Sequence, residues 1–106
     1  MRALKTGWQM SQLSGRIRRL VADDRYVVSE DAVGRLEERG ILVWLVVVGL
    51  EQGELIVERP DDSPNPAVEV RQSLADGTEV KAVWAYLARS GVAKLVTVHF
   101  FEEGEA

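Results

Sequence analysis

The chain has 106 residues, of which 46% are hydrophobic and 28% charged, with a formal net charge of −4. That length suits one compact core and is short for two ordinary domains. The absence of cysteine excludes a disulfide framework, a thiolate zinc site and a cysteine nucleophile.

Taken in chain order, residues 1–9 read as an N-terminal arm whose Trp8 could anchor to the body or to a partner. Met10, Leu13, Ile17, Leu20 and Val21 then recur at helical spacing, which predicts a first amphipathic helix with Ser11 or Ser14 as its cap. Arg16 and Arg19 fall off the apolar stripe. Residues 26–28 read as an extended link into a second helix. There Ser29 is the N-cap, Glu30 and Asp31 favour the positive helix end, and Gly40 offers a left-handed stop. Asp31, Arg35 and Glu38 share one face of that helix, at i, i+4 and i+7.

Residues 41–50 are valine-rich, which favours a strand by propensity, while their length before Gly53 suits a fully buried helix. Beyond them the pattern is sheet-like. A first strand covers 54–58, a loop with three prolines breaks regular structure at 59–66, and a second strand covers 67–74. The Asp76-Gly77 pair makes a tight turn into a third strand at 79–87, and a turn at 89–91 leads to a fourth at 93–101. Residues 102–106 form an acidic tail. The expected fold is α+β: two or three N-terminal helices packed on one face of a four-stranded antiparallel sheet, in a single domain with its core at about residues 10–101.

Charge is unevenly spread. Residues 1–25 hold six basic and two acidic side chains, against seven basic and fifteen acidic in 26–106. The whole molecule repels polyanions at long range, while a local basic patch remains available to phosphates. The longest apolar run, at 41–48, has 8 residues, well short of the roughly 20 of a membrane span. The N-terminus has no apolar stretch of signal-peptide length. The expectation is a cytoplasmic protein with no membrane association.

Three blocks resemble the bacterial domain-of-unknown-function family 4258. They are the run Val28-Ser29-Glu30-Asp31-Ala32-Val33-Gly34-Arg35-Leu36-Glu37-Glu38-Arg39-Gly40-Ile41, the run from Gly53 to Asp62, and Val80-Lys81-Ala82-Val83-Trp84 with Leu95-Val96-Thr97-Val98. The resemblance favours a helix at 41–50. It implies a distant similarity of fold to the toxin ribonucleases of bacterial toxin-antitoxin pairs, among them the RelE-like and BrnT-like toxins. In that family's pattern a histidine commonly stands where this chain has Asp31, and another where it has Lys81. Losing both removes the most suitable acid–base pair, since imidazole alone has an unperturbed pKa near neutrality.

The candidate catalytic residues are therefore Arg35, Glu38, Arg39, Lys81 and His99. Arg35, Arg39 and Lys81 would hold phosphate, and Glu38 or His99 would transfer protons. His99 is expected on the same side of its strand as Leu95, Thr97 and Phe101. Trp44 and Trp84 are assigned to the core, with Tyr86 a further candidate for base stacking. No cofactor motif or metal-ligand spacing stands out. The leading functional expectation is a non-catalytic or degenerate toxin-like domain that acts by binding a partner, either protein or nucleic acid, with a symmetric homodimer through an exposed sheet edge or Trp8 as one form of it. An RNA endonuclease is the alternative. A DNA-binding accessory protein using Arg16, Arg18 and Arg19 is a more remote one.

Overall fold

The computed structural model describes residues 12–101. In chain order the elements are α1 (Gln12–Ala22), β1 (Tyr26–Val28), α2 (Glu30–Glu38), α3 (Val43–Gly49), β2 (Glu54–Arg59), β3 (Ala67–Ser73), β4 (Glu79–Leu87) and β5 (Val92–Phe100). The five strands form one sheet in the order β1-β5-β4-β3-β2. The four antiparallel strands of the sequence reading become five, because residues 26–28 are a strand that pairs parallel with β5. Three residues are too few to show a strand's periodicity. Their strand state comes from the partner instead, through Ala93 N–H to Arg25 O at 3.0 Å and Ser29 N–H to Leu95 O at 3.0 Å.

Each helix carries the signals that delimit it. Ile17 and Val21 of α1 face the core. Ser14 lies buried within the helix rather than capping it, while Met10, Ser11, Trp8 and the acidic tail lie outside the described residues. In α2 the Ser29 hydroxyl accepts the Ala32 N–H at 3.0 Å, as an N-cap should. Gly40 takes φ 68°, Gly40 N–H reaches Glu37 O at 3.0 Å, and Ile41 N–H reaches Leu36 O at 2.9 Å. This paired closure satisfies carbonyls that the helix end would otherwise leave open.

α3 confirms a helix after Gly40 but corrects its burial. Val46 is buried, whereas Trp44 is 63% exposed, so the assignment of Trp44 to the core fails. An all-apolar sequence has no polar face to mark the side left outside, so no periodicity in residues 41–50 could show it.

One face of the sheet is the core. Val68 and Val70 of β3, Val80, Ala82 and Trp84 of β4, and Ala93, Leu95, Val98 and Phe100 of β5 are buried there. Helix residues Ile17, Val21, Ala32, Leu36 and Val46 join the same cluster. Gln72 is buried among them. Its Nε2 donates to Val46 O at 2.8 Å, and its Oε1 accepts the Trp84 indole N–H at 3.1 Å. Val46 O is open to Gln72 because the Leu50 N–H turns instead to Val47 O at 3.3 Å. Gly53 passes so close to β3 that a Cβ there would collide with Val70 Cγ1.

Two stability predictions follow from these contacts. Gln72→Leu strands both buried partners, at roughly 1–3 kcal/mol each, and should cost about 2–6 kcal/mol in urea unfolding; an unchanged midpoint would mean that neither bond matters. Leu42 is the N-cap of α3 and makes no side-chain cap bond. Leu42→Asp should therefore gain about 0.5–2 kcal/mol, read as a higher melting temperature.

Candidate functional site: the open sheet face and a groove between helices

The side of the sheet away from the core carries most of the sheet's charged residues, with Val57 and Val83 set among them. Glu69, Arg71 and Ser73 of β3 lie opposite Val83, Lys81 and Glu79 of β4, and Lys81 and Val83 lie in turn opposite His99 and Thr97 of β5. A bulge decides which β5 residues reach this face. Val83 pairs with Thr97 but Trp84 with Leu95, leaving Val96 as an extra residue. Side-chain direction reverses across it, so Leu95 turns into the core while Thr97 and His99 stay on the open face. The expectation that Leu95 shares a side with His99 fails for this reason, since strict alternation carries no sign of an inserted residue.

The bulge also holds α2. Ser29 Oγ donates to Val96 O at 2.6 Å while capping the helix. That tether puts Asp31, in the first turn, beside β5. Asp31 Oδ2 accepts from Thr97 Oγ1 at 2.5 Å and from Arg35 Nε at 3.0 Å. The Thr97 hydrogen bond, then the Arg35 hydrogen bond, hold the Asp31 carboxyl below the usual range, and the charge of nearby His99 acts in the same direction.

The other carboxylates on this face are also held by cations. Glu69 binds Arg59 Nη2 at 2.7 Å and Lys81 Nζ at 3.5 Å; the Arg59 hydrogen bond is the main reason its pKa is lowered. Glu79 accepts from Arg71 Nη2 at 2.8 Å and from Ser73 Oγ at 3.2 Å, and its pKa is lowered chiefly by Arg71. The Arg71 guanidinium also stacks on Phe101, 4.5 Å from the ring centre. A carboxylate stabilised in its charged form is a weak base, so Asp31, Glu69 and Glu79 are poorly suited to take a proton from a hydroxyl.

The structure thus brings Arg35, Lys81 and His99 to one face, with Asp31 and Thr97 between the helix and the sheet. It takes Arg39 away from them and leaves Glu38 on the solvent side of α2. Arg39 lies over the ring of Phe100, 4.3 Å from its centre, against a side chain that belongs to the core. Glu38 is exposed in the last turn of α2. Sequence reasoning missed Thr97, Glu69 and Arg71. A pattern reading can note alternate polar residues on a strand but not which strand lies beside which.

A second feature lies on the helical side, where α1 and α3 border an open groove of about 680 Å³. Val21, Ala22, Trp44, Val47 and Leu50 supply its apolar walls. Arg18 fixes its geometry by donating to Glu51 O at 2.8 Å and Gly53 O at 2.9 Å. Arg16 is drawn off to the Tyr86 ring, 5.2 Å from its centre, which fills one side of that aromatic.

Residues 28–100 match the family model described as Domain of unknown function (DUF4258). The chain belongs to this family. Comparison with curated proteins and with solved structures gives no match. The family region takes in the Ser29 cap, the Val96 bulge and strands β2 to β5 of the open sheet face. In the groove it includes α3 but not α1. Among the described residues no helix is long and apolar enough to cross a membrane.

A titration tests the Asp31 bridge. A carboxyl with a depressed folded-state pKa favours the fold above its ordinary value, and that contribution fades as pH falls through the depressed value. Removing the Thr97 hydroxyl should therefore move the Asp31 titration upward in pH in Thr97→Val, followed by carboxyl carbon NMR. An identical curve in both proteins would exclude Thr97 as the main cause.

Proposed function

We propose that this protein is a non-catalytic, degenerate member of a toxin-like fold, which acts in the cytoplasm by binding a partner. The observation that carries this reading is the pairing on the open sheet face. Asp31 and Lys81 stand where the resemblance expects histidines, and both are committed to ion pairs, with Arg35 and Glu69 respectively. Cleavage of RNA needs cations free to meet the developing phosphate charge and a base with a pKa near the working pH. Here the face carboxylates already occupy the cations, and their pKa values are held low. The apolar groove and the exposed side chains of α3 supply what a binding module needs instead.

The ribonuclease reading keeps one specific observation in its favour, the convergence of Arg35, Lys81 and His99 around Asp31 and Thr97. In that reading His99 moves the proton and Arg35 neutralises charge. Of the arginines in the DNA reading, Arg16 and Arg18 are engaged within the chain, while Arg19 is exposed.

Induced expression in a bacterial host separates the readings. Wild type, Arg35→Ala and His99→Ala should all permit normal growth and leave cellular RNA intact. Growth arrest with RNA cleavage by the wild type, reduced about 10²–10³-fold in Arg35→Ala, would replace the binding module with an active ribonuclease.

A further inference from the structure

We infer that the groove between α1 and α3 is the seat of a second copy of this chain, each protomer inserting Trp44 into the groove of the other. This rests on the partner-binding reading and names the partner.

The first ground is shape. A two-fold interface must be complementary to itself, and α3 supplies both the protrusion and part of the hollow. Trp44 is 63% exposed and Val48, one turn on, is 49% exposed; both form the outer wall of the groove, whose floor is made by Val47 and Leu50 of the same segment and Val21 of α1. Among the described residues, the large exposed hydrophobics are Val27, Leu42, Trp44, Val48 and Ile56, and three of these lie on α3 or at its cap. A large, rigid aromatic at the centre of an apolar patch is the usual anchor of an interface.

The second ground is charge. The groove is bordered by Arg18 and Arg19 and by Asp24 and Glu51, two cations and two anions. A partner of one strong sign would meet repulsion from half of this border. A second copy brings both signs, and a two-fold rotation can set the exposed Arg19 of one protomer towards Asp24 or Glu51 of the other. The Trp44 indole N–H has no hydrogen bond to a described residue, so those carboxylates are also acceptors for it, as a tryptophan buried in an interface requires.

The third ground is preorganisation. The Arg18 fork to Glu51 O and Gly53 O, and the Gln72 bond to Val46 O, hold the walls of the groove before anything binds, which limits the ordering cost of association. The free edge at β2 is a poorer route to the same dimer. It carries Glu54, Glu58 and Arg59 and a register shift between Leu55 and Val57, features that discourage edge pairing.

Sedimentation of the full chain over a hundredfold range of concentration tests the proposal. The wild type should populate a dimer. Trp44→Glu and Val48→Lys, both at exposed positions, should each sediment as monomers with unchanged far-ultraviolet circular dichroism. Ile56→Glu, on the β2 edge, should remain dimeric. A wild-type monomer throughout, a dimer that survives both α3 substitutions, or a dimer dissociated by Ile56→Glu alone would overturn it. A monomer that leaves RNA intact removes only the second copy as partner, whereas RNA cleavage by the wild type removes the binding reading beneath it.

Discussion

The buried amide of Gln72 is the constraint on which the helical side of the molecule depends. A seven-residue helix such as α3 is too short to be stable by itself, and its C-terminal carbonyls lack intrahelical donors. Gln72 meets one of those carbonyls from the sheet and, with its other end, accepts the Trp84 indole N–H. A single side chain therefore satisfies two polar groups that would each be costly to bury unpaired. It does so from the middle of an apolar face, where α3 is docked against β3. The groove between α1 and α3 inherits its shape from this arrangement.

The open sheet face depends on a different device, the extra residue at Val96. By reversing the side-chain alternation of β5, the bulge lets Leu95 and Val98 both serve the core while Thr97 and His99 face outward. Its carbonyl is also the anchor for Ser29, so the start of α2 is held where the Asp31 carboxylate can meet Thr97. The chemistry of the face then follows from proximity. Cations and carboxylates on adjacent strands neutralise one another, and the resulting pKa depressions favour a stable charged surface over one that exchanges protons.

Much of the local structure was legible because its signals are local. Ser29 before an acidic first turn and Gly40 after the last one mark α2 at both ends. Asp76-Gly77 and Gly91 mark the two turns of the meander, with φ of 92° and 68° at the glycines. The alternating runs place β2 to β5 within one or two residues of their observed limits. Of the candidate site, the relation of Asp31 to Arg35 was readable as helical spacing, whereas Arg35, Lys81 and His99 meet only because β4 and β5 are neighbours and α2 is tied to the bulge. The division of Arg35 from Arg39 was not readable, as Arg39 is the C-cap of the short helix that carries Arg35 and their destinations depend on what packs beside it.

By itself, then, the sequence determined the α+β class, the order of the helices and the four-strand meander, and the turns between them, because propensity, capping and glycine conformations act within a few residues. Tertiary structure alone decided the parallel pairing of β1, the exposed side of α3 and the reversal at Val96. Each of these is set by contacts between segments distant in the chain. A three-residue strand exists through its partner's hydrogen bonds. A uniformly apolar helix has no exposed side until it docks. A bulge has meaning only relative to the strand it faces.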